Sequence, residues 1–207
     1  MRTLVLALSL ALVLVASQAF AETGSTIFGV KGGLSMANLT GDDVENTDAR
    51  YGGCFGGFVE IPINQMVSFQ PELLYAMKGA TESWEVSGED HEIAFKLSYI
   101  EIPVLFKINI PMGGNYRPCL LLGPEVAFKA SSDVEYTVGG SSIESEVENI
   151  KSTDLGMIIG GGVGFPMANR TAMFEIRYDF GLTTIDDSDM EADVKNTALS
   201  ILFGITL

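Results

Sequence analysis

Charged residues recur at every second position in this sequence, and that spacing limits the chemistry open to them. In residues 174–182 (FEIRYDFGL), Glu175, Arg177 and Asp179 alternate with Phe174, Ile176, Tyr178 and Phe180. The same alternation elsewhere puts Lys31, Glu60, Glu72, Lys78, Glu101, Lys107, Glu125, Lys129, Glu175, Arg177 and Asp179 on one parity, six acids and five bases. Near-equal opposite charges on a shared face suit a mutually neutralising network better than a reaction centre. Glu72, Glu101 and Glu125 fall at similar heights on successive segments. Three carboxylates so close need a cation beside them. Arg177 is the expected one, because its planar fork can hold two acceptors at once.

Other reactive types are sparse. The one histidine, His91, sits in the acidic run Gly88-Glu89-Asp90-His91-Glu92. It reads as a solvated loop residue, since a catalytic base needs an oriented nucleophile and none is visible. Gly160-Gly161-Gly162-Val163-Gly164 misses a dinucleotide fingerprint, with Phe165 where the final glycine belongs. Asp186-Asp187-Ser188-Asp189 offers hard oxygens to a divalent cation but lacks the glycine and closing glutamate of a calcium loop. No catalytic residue, resident metal or cofactor is expected. Divalent cations are expected at most at acidic loops.

The elements that position these residues are strands. Alternation recurs in eight segments, about 27–37, 51–61, 67–80, 93–109, 118–130, 155–165, 172–184 and 196–207. Most have nine or more residues, long enough for a tilted membrane strand of ~9–11. Short links rich in Pro, Gly and Asn (62–65, 111–115, 166–169) alternate with long ones near 38–50, 81–92, 131–154 and 185–195. That rhythm makes an up-and-down meander, with the long links at one end and both termini at the other. Twenty of the 27 acids lie in the long links. The formal charge is −15 and no basic stripe is present, so nucleic acid is excluded as a partner. Residues 1–21 read as a secretory signal, with basic Arg2, an apolar run and Ala19-Phe20-Ala21. The apolar run is too short to span a membrane. Residues 22–207 then form one domain.

Parity decides which strand face meets water. One face is almost free of charge, while the other mixes charge with Gly29, Gly33, Gly56, Gly160, Gly162 and other small residues. Glycine weakens a solvated strand but makes room inside a narrow barrel. The apolar face is therefore expected on lipid and the charged face inside an eight-stranded antiparallel transmembrane β-barrel, as a monomer. A soluble barrel would need the reverse. Residues 93–99 have the opposite parity from 100–108, which predicts a bulge near Ser98 or Tyr99. Pro71, Pro103 and Pro124 lie mid-strand, where a closed barrel is expected to avoid them. Cys54 and Cys119 are placed near opposite ends of their strands, about 16 Å apart in height by strand rise and tilt. That exceeds the ~7 Å Cα limit of a disulfide, so two free thiols are expected.

The segments QPELLYAMKGA (70–80), YIEIPVLFKINIP (99–111), LLGPEVAFKAS (121–131) and FEIRYDFGLTTI (174–185) resemble strands of the small bacterial outer-membrane β-barrel ("porin") family. GVKGGLSMANLTGDD (29–43) is similar to that family's first strand and loop. The resemblance implies an outer-membrane location with periplasmic termini in a Gram-negative-type bacterium, lipid as the surrounding partner, and no catalytic residues. The expected role is structural or surface-interactive, with a lumen plugged by its own side chains. The alternative is a narrow channel for small solutes.

Overall fold

The computed structural model describes residues 25–42, 44, 47–86, 88–147, 149–188 and 192–207. The signal expected at 1–21 lies outside them. Strands β1 (Ile27–Thr40), β2 (Asp48–Pro62), β3 (Val67–Val86), β4 (Glu89–Asn109), β5 (Arg117–Val138), β6 (Ser141–Glu146), β7 (Thr153–Met167), β8 (Arg170–Gly181) and β9 (Lys195–Thr206) follow in order. Eight of them pair antiparallel around a closed ring, β1 meeting β9 and β4 meeting β5. The ninth, β6, pairs only with the far end of β5. No helix among the described residues is long and apolar enough to cross a membrane.

Exposure answers the parity question on β8. Phe174, Ile176 and Tyr178 are 39%, 47% and 46% exposed, whereas Glu175, Arg177 and Asp179 are 1%, 3% and 7% exposed. Phe28, Leu34, Tyr51, Phe55 and Leu73 continue the exposed apolar surface around the ring. Such a band is costly in water and suited to hydrocarbon.

Two expected long links are largely strand. The 81–92 segment continues β3 and β4 as a ladder from Thr81↔Ala94 to Val86↔Glu89. Most of 131–154 continues β5 and folds back as β6. Strands of 20, 21 and 22 residues exceed a membrane crossing by about ten residues, so they project roughly 20 Å beyond it at a tilt near 45°.

The predicted bulge is where expected but on the other strand. Ser98 pairs with Ser131 and Tyr99 with Lys129, leaving Ala130 of β5 as the extra residue. β4 keeps its parity, so Leu97 and Tyr99 stay buried inside, against Ala127 and Ile185. The apparent parity change in residues 93–99 is a change of environment, from ion pairs to an apolar interior.

The prolines are tolerated without loss of closure. Pairing lapses for two residues beside each and resumes in the same register, as from Phe58↔Glu72 to Ile61↔Phe69 beside Pro71. Similar gaps separate Pro71↔Val104 from Leu74↔Glu101, and Pro103↔Glu125 from Phe106↔Leu122.

The turn between β7 and β8 holds a local conflict. Ala168 has φ 56°, the only positive φ at a described non-glycine residue. A positive φ at the first central position of a two-residue hairpin favours glycine. Ala168→Gly is expected to stabilise the barrel by about 1 kcal/mol. A denaturant midpoint in detergent checks this, and an unchanged or lower midpoint would contradict it.

Candidate functional site: a charged lumen below an apolar mouth

From the turn end upward, the lumen is built in layers. Lys107 Nζ lies 2.8 Å from Glu60. This pair borders a vestibule of about 310 Å³ that Arg117, Tyr116 and Cys119 also line. Above it, the Arg177 guanidinium donates to both oxygens of Glu72 at 2.7 Å and lies 2.7 Å from Glu175. Lys31 Nζ reaches Glu72 at 3.0 Å and Glu175 at 2.9 Å, and sits 4.6 Å from the centre of the Phe58 ring. Gln70 also donates to Glu72, at 2.7 Å. This layer holds two acids and two bases.

The next layer gathers three acids around one base. Lys78 Nζ contacts Glu101 at 2.7 Å, Glu125 at 3.1 Å, and Asp179. The three carboxylates present oxygens within 4.8 Å of one another, a spacing fit for a metal. The Lys78 ammonium, in contact with all three, takes the position an ion would use. A cavity of about 20 Å³ lies at this level, room for a single water.

Arg177 thus pairs with Glu72 and Glu175, while Glu101 and Glu125 belong to Lys78. Lys129 stands apart: it is only half-buried, and its Nζ donates to the Ile150 carbonyl at 2.7 Å. The extra residue Ala130 follows it directly, where the β4–β5 register shifts.

Glycine makes the ion pairs possible at two points on β7. Gly160 and Gly162 face Arg177 and Glu175 across the ladder. A Cβ on either would lie 3.0 Å from Arg177 Cγ or 2.9 Å from Glu175 Cγ. Both cysteines are free and buried.

Neutral polar residues that sequence reasoning misses complete the stack. Asn196 donates to Tyr99 at 3.2 Å and to Asp154 at 2.8 Å, and Thr183 donates to Asp154 at 3.0 Å. Their only signal is position, since Asn196 occupies the inward parity of β9.

Above this layer the interior turns apolar. Leu97, Tyr99, Ala127 and Ile185 close a floor. A cleft of about 310 Å³ rests on it, walled by Leu39, Phe95, Ile150 and Val194. Beyond the cleft, on the projecting sheet, Trp84 stacks on His91 with ring centroids 5.7 Å apart, and His91 Nδ1 lies 2.7 Å from Tyr136 Oη. The opposite face of that sheet is acidic, with Lys96 held by Glu135 and Glu144. At the loops, the Asp186 carboxylate accepts from Ser188 Oγ, Ser188 N and Ala192 N. The Ser188 hydroxyl, ahead of the backbone donors, holds it below the usual carboxylate range.

Residues 17–187 match the family described as outer membrane protein beta-barrel domain. The chain belongs to that family. Membership places this barrel among outer-membrane proteins, with lipid against its exposed apolar band. Solved structures of outer-membrane proteins are similar at low identity. Ail of Yersinia pestis is 14% identical, with 89% of this chain and 100% of that chain covered and a TM-score of 0.41. Neisserial surface protein A is 14% identical, covering 88% and 99%, with a TM-score of 0.46. A major outer membrane protein from Thermus thermophilus is 13% identical, covering 88% and 98%, with a TM-score of 0.47. No curated protein matches significantly.

Proposed function

We propose that this outer-membrane barrel is a monomer with a closed lumen, that it is non-enzymatic, and that it acts through the sheet and loops at its long-strand end. The mature chain would begin at residue 22, with its termini in the periplasm. The observation that carries this reading is the Lys78 layer, where ion-paired side chains line a cavity of only about 20 Å³. Hydrated solutes do not pass such a gap without breaking buried ion pairs. The 20- to 22-residue strands add support, because their projecting parts contribute nothing to spanning and present an aromatic and an acidic face. Ail has been crystallised with the heparin analogue sucrose octasulfate. A polyanion does not suit this chain, whose acids cluster at the same end as the projecting sheet. Divalent cations remain the better match for the acidic loops.

The alternative, a narrow channel, draws on the vestibules of about 310 Å³ that flank the constriction. Planar-bilayer recording separates the two. The purified barrel is expected to give no steady conductance, and open single-channel steps would favour the channel. Orientation is checked by a tag inserted at Gly140. It is expected to be labelled on intact cells, and labelling only after permeabilisation would reverse the topology.

A further inference from the structure

We infer that the apolar cleft in the mouth is a binding site for a small apolar ammonium compound, its hydrocarbon part in the cleft and its charge on Glu82. The site shares its sealed floor with the closed-lumen reading, but it is tested by binding and not by conductance.

Three observations carry it. The first is shape: the cleft of about 310 Å³ is the size of a small-molecule pocket. Its floor is sealed by Leu97, Tyr99 and Ile185, so it ends blind. A blind pocket retains a ligand rather than passing it on.

The second is that the wall is preformed. Lys151 N donates to Ile185 O at 2.8 Å, Ile185 N to Val194 O at 2.7 Å, and Asp187 N to Asn149 O at 3.1 Å. Ile150 and Asp186 bridge between the same two segments. Backbone bonds thus staple the two loop walls together before any ligand arrives, which lowers the ordering cost of binding.

The third is charge. The only charged side chains lining the cleft among the described residues are the carboxylates of Glu82 and Asp186. Both Asp186 oxygens already accept bonds within their own loop, whereas Glu82 is exposed and free to meet an amine. Of the bases near the mouth, Lys129 bonds the Ile150 carbonyl, Arg50 the Lys78 carbonyl and Lys195 Asp193, while Lys151 acts on Asp186 and leaves Glu82 as the uncompensated carboxylate. An anionic ligand would meet repulsion here, and a neutral one would leave the carboxylate unused. An apolar cation satisfies both parts of the lining.

Trp84, the only tryptophan, lies two residues from Glu82 on β3 and on the same face, and serves as a reporter. The test uses the full barrel in zwitterionic nanodiscs, with empty nanodiscs as the partition control. Phenethylammonium, phenethyl alcohol and phenylacetate are titrated by tryptophan emission and, in parallel, by calorimetry. Saturable binding of the ammonium is expected, up to about fivefold tighter than the alcohol, with phenylacetate weaker still. Glu82→Gln should remove that preference while leaving alcohol binding unchanged. Val194→Phe should weaken both by filling the cleft. Gel migration before and after heating shows whether each variant is folded, and if Val194→Phe is not, Glu82→Gln alone decides. Equal binding of ammonium and alcohol, an unchanged preference in Glu82→Gln, or no saturable response by either method overturns the site.

Discussion

Lys78→Met is expected to destabilise the barrel more than any other single substitution in the lumen. Methionine keeps most of the side-chain volume but removes the cation that Glu101, Glu125 and Asp179 share. All three are buried, so water cannot take the ammonium's place cheaply. Breaking a buried ion pair by removing one partner costs ~3–5 kcal/mol, and here one removal strands three groups. The readout is the temperature at which the fast-migrating folded band on an unheated gel converts to the unfolded one. A large fall is expected at neutral pH. Adding Glu101→Gln, Glu125→Gln and Asp179→Asn to Lys78→Met should recover much of it, because removing both sides of a buried pair is far less costly than removing one. If the combined variant melts as low as Lys78→Met alone, the layer is held by packing and not by charge.

Arg177→Ala is the second large effect. It takes away the bidentate partner of Glu72 and the closest partner of Glu175, leaving Lys31 to serve both. A loss of ~3–5 kcal/mol is expected from the same mechanism. The truncation also opens a void beside the Lys78 layer, so an ohmic leak should appear in bilayers where the parent is silent. Asp187→Ala, at an exposed loop position, should change neither property. An Arg177→Ala barrel that melts like its parent, together with a parent that already conducts, would argue for the channel instead.

The barrel wall is legible in the sequence because two periodicities agree, the two-residue alternation and the short-long rhythm of the links. The lumen is legible only as a set of residues. Which acid meets which base depends on how far each strand is staggered around the ring, and no single strand encodes that. Residue count therefore assigns Arg177 to Glu101 and Glu125 as well as Glu72, whereas Lys78 holds those two. Lys129 has the right parity but sits beside the bulge residue Ala130, where its ammonium bonds the Ile150 carbonyl in place of a carboxylate. The projecting sheet is hidden for a different reason. Val134, Tyr136 and Val138 alternate cleanly with Asp133, Glu135 and Thr137, but the acids make the segment resemble a solvated loop. His91 reads as solvated for the same reason, although it stacks on Trp84.

The single extra residue Ala130 divides β5 into two scripts written on one strand. Below it odd positions face inward, as at Leu121, Glu125 and Ala127, and above it even positions do, as at Ser132. Substitutions can revise the membrane half and the projecting half independently, each under its own solvent. Loss or gain of one residue anywhere between them turns the upper half inside out, exchanging Tyr136 and Val134 for Glu135 and Asp133 over the mouth. A change of length is therefore least disruptive away from this joint, at the hairpin tip around Gly139 and Gly140.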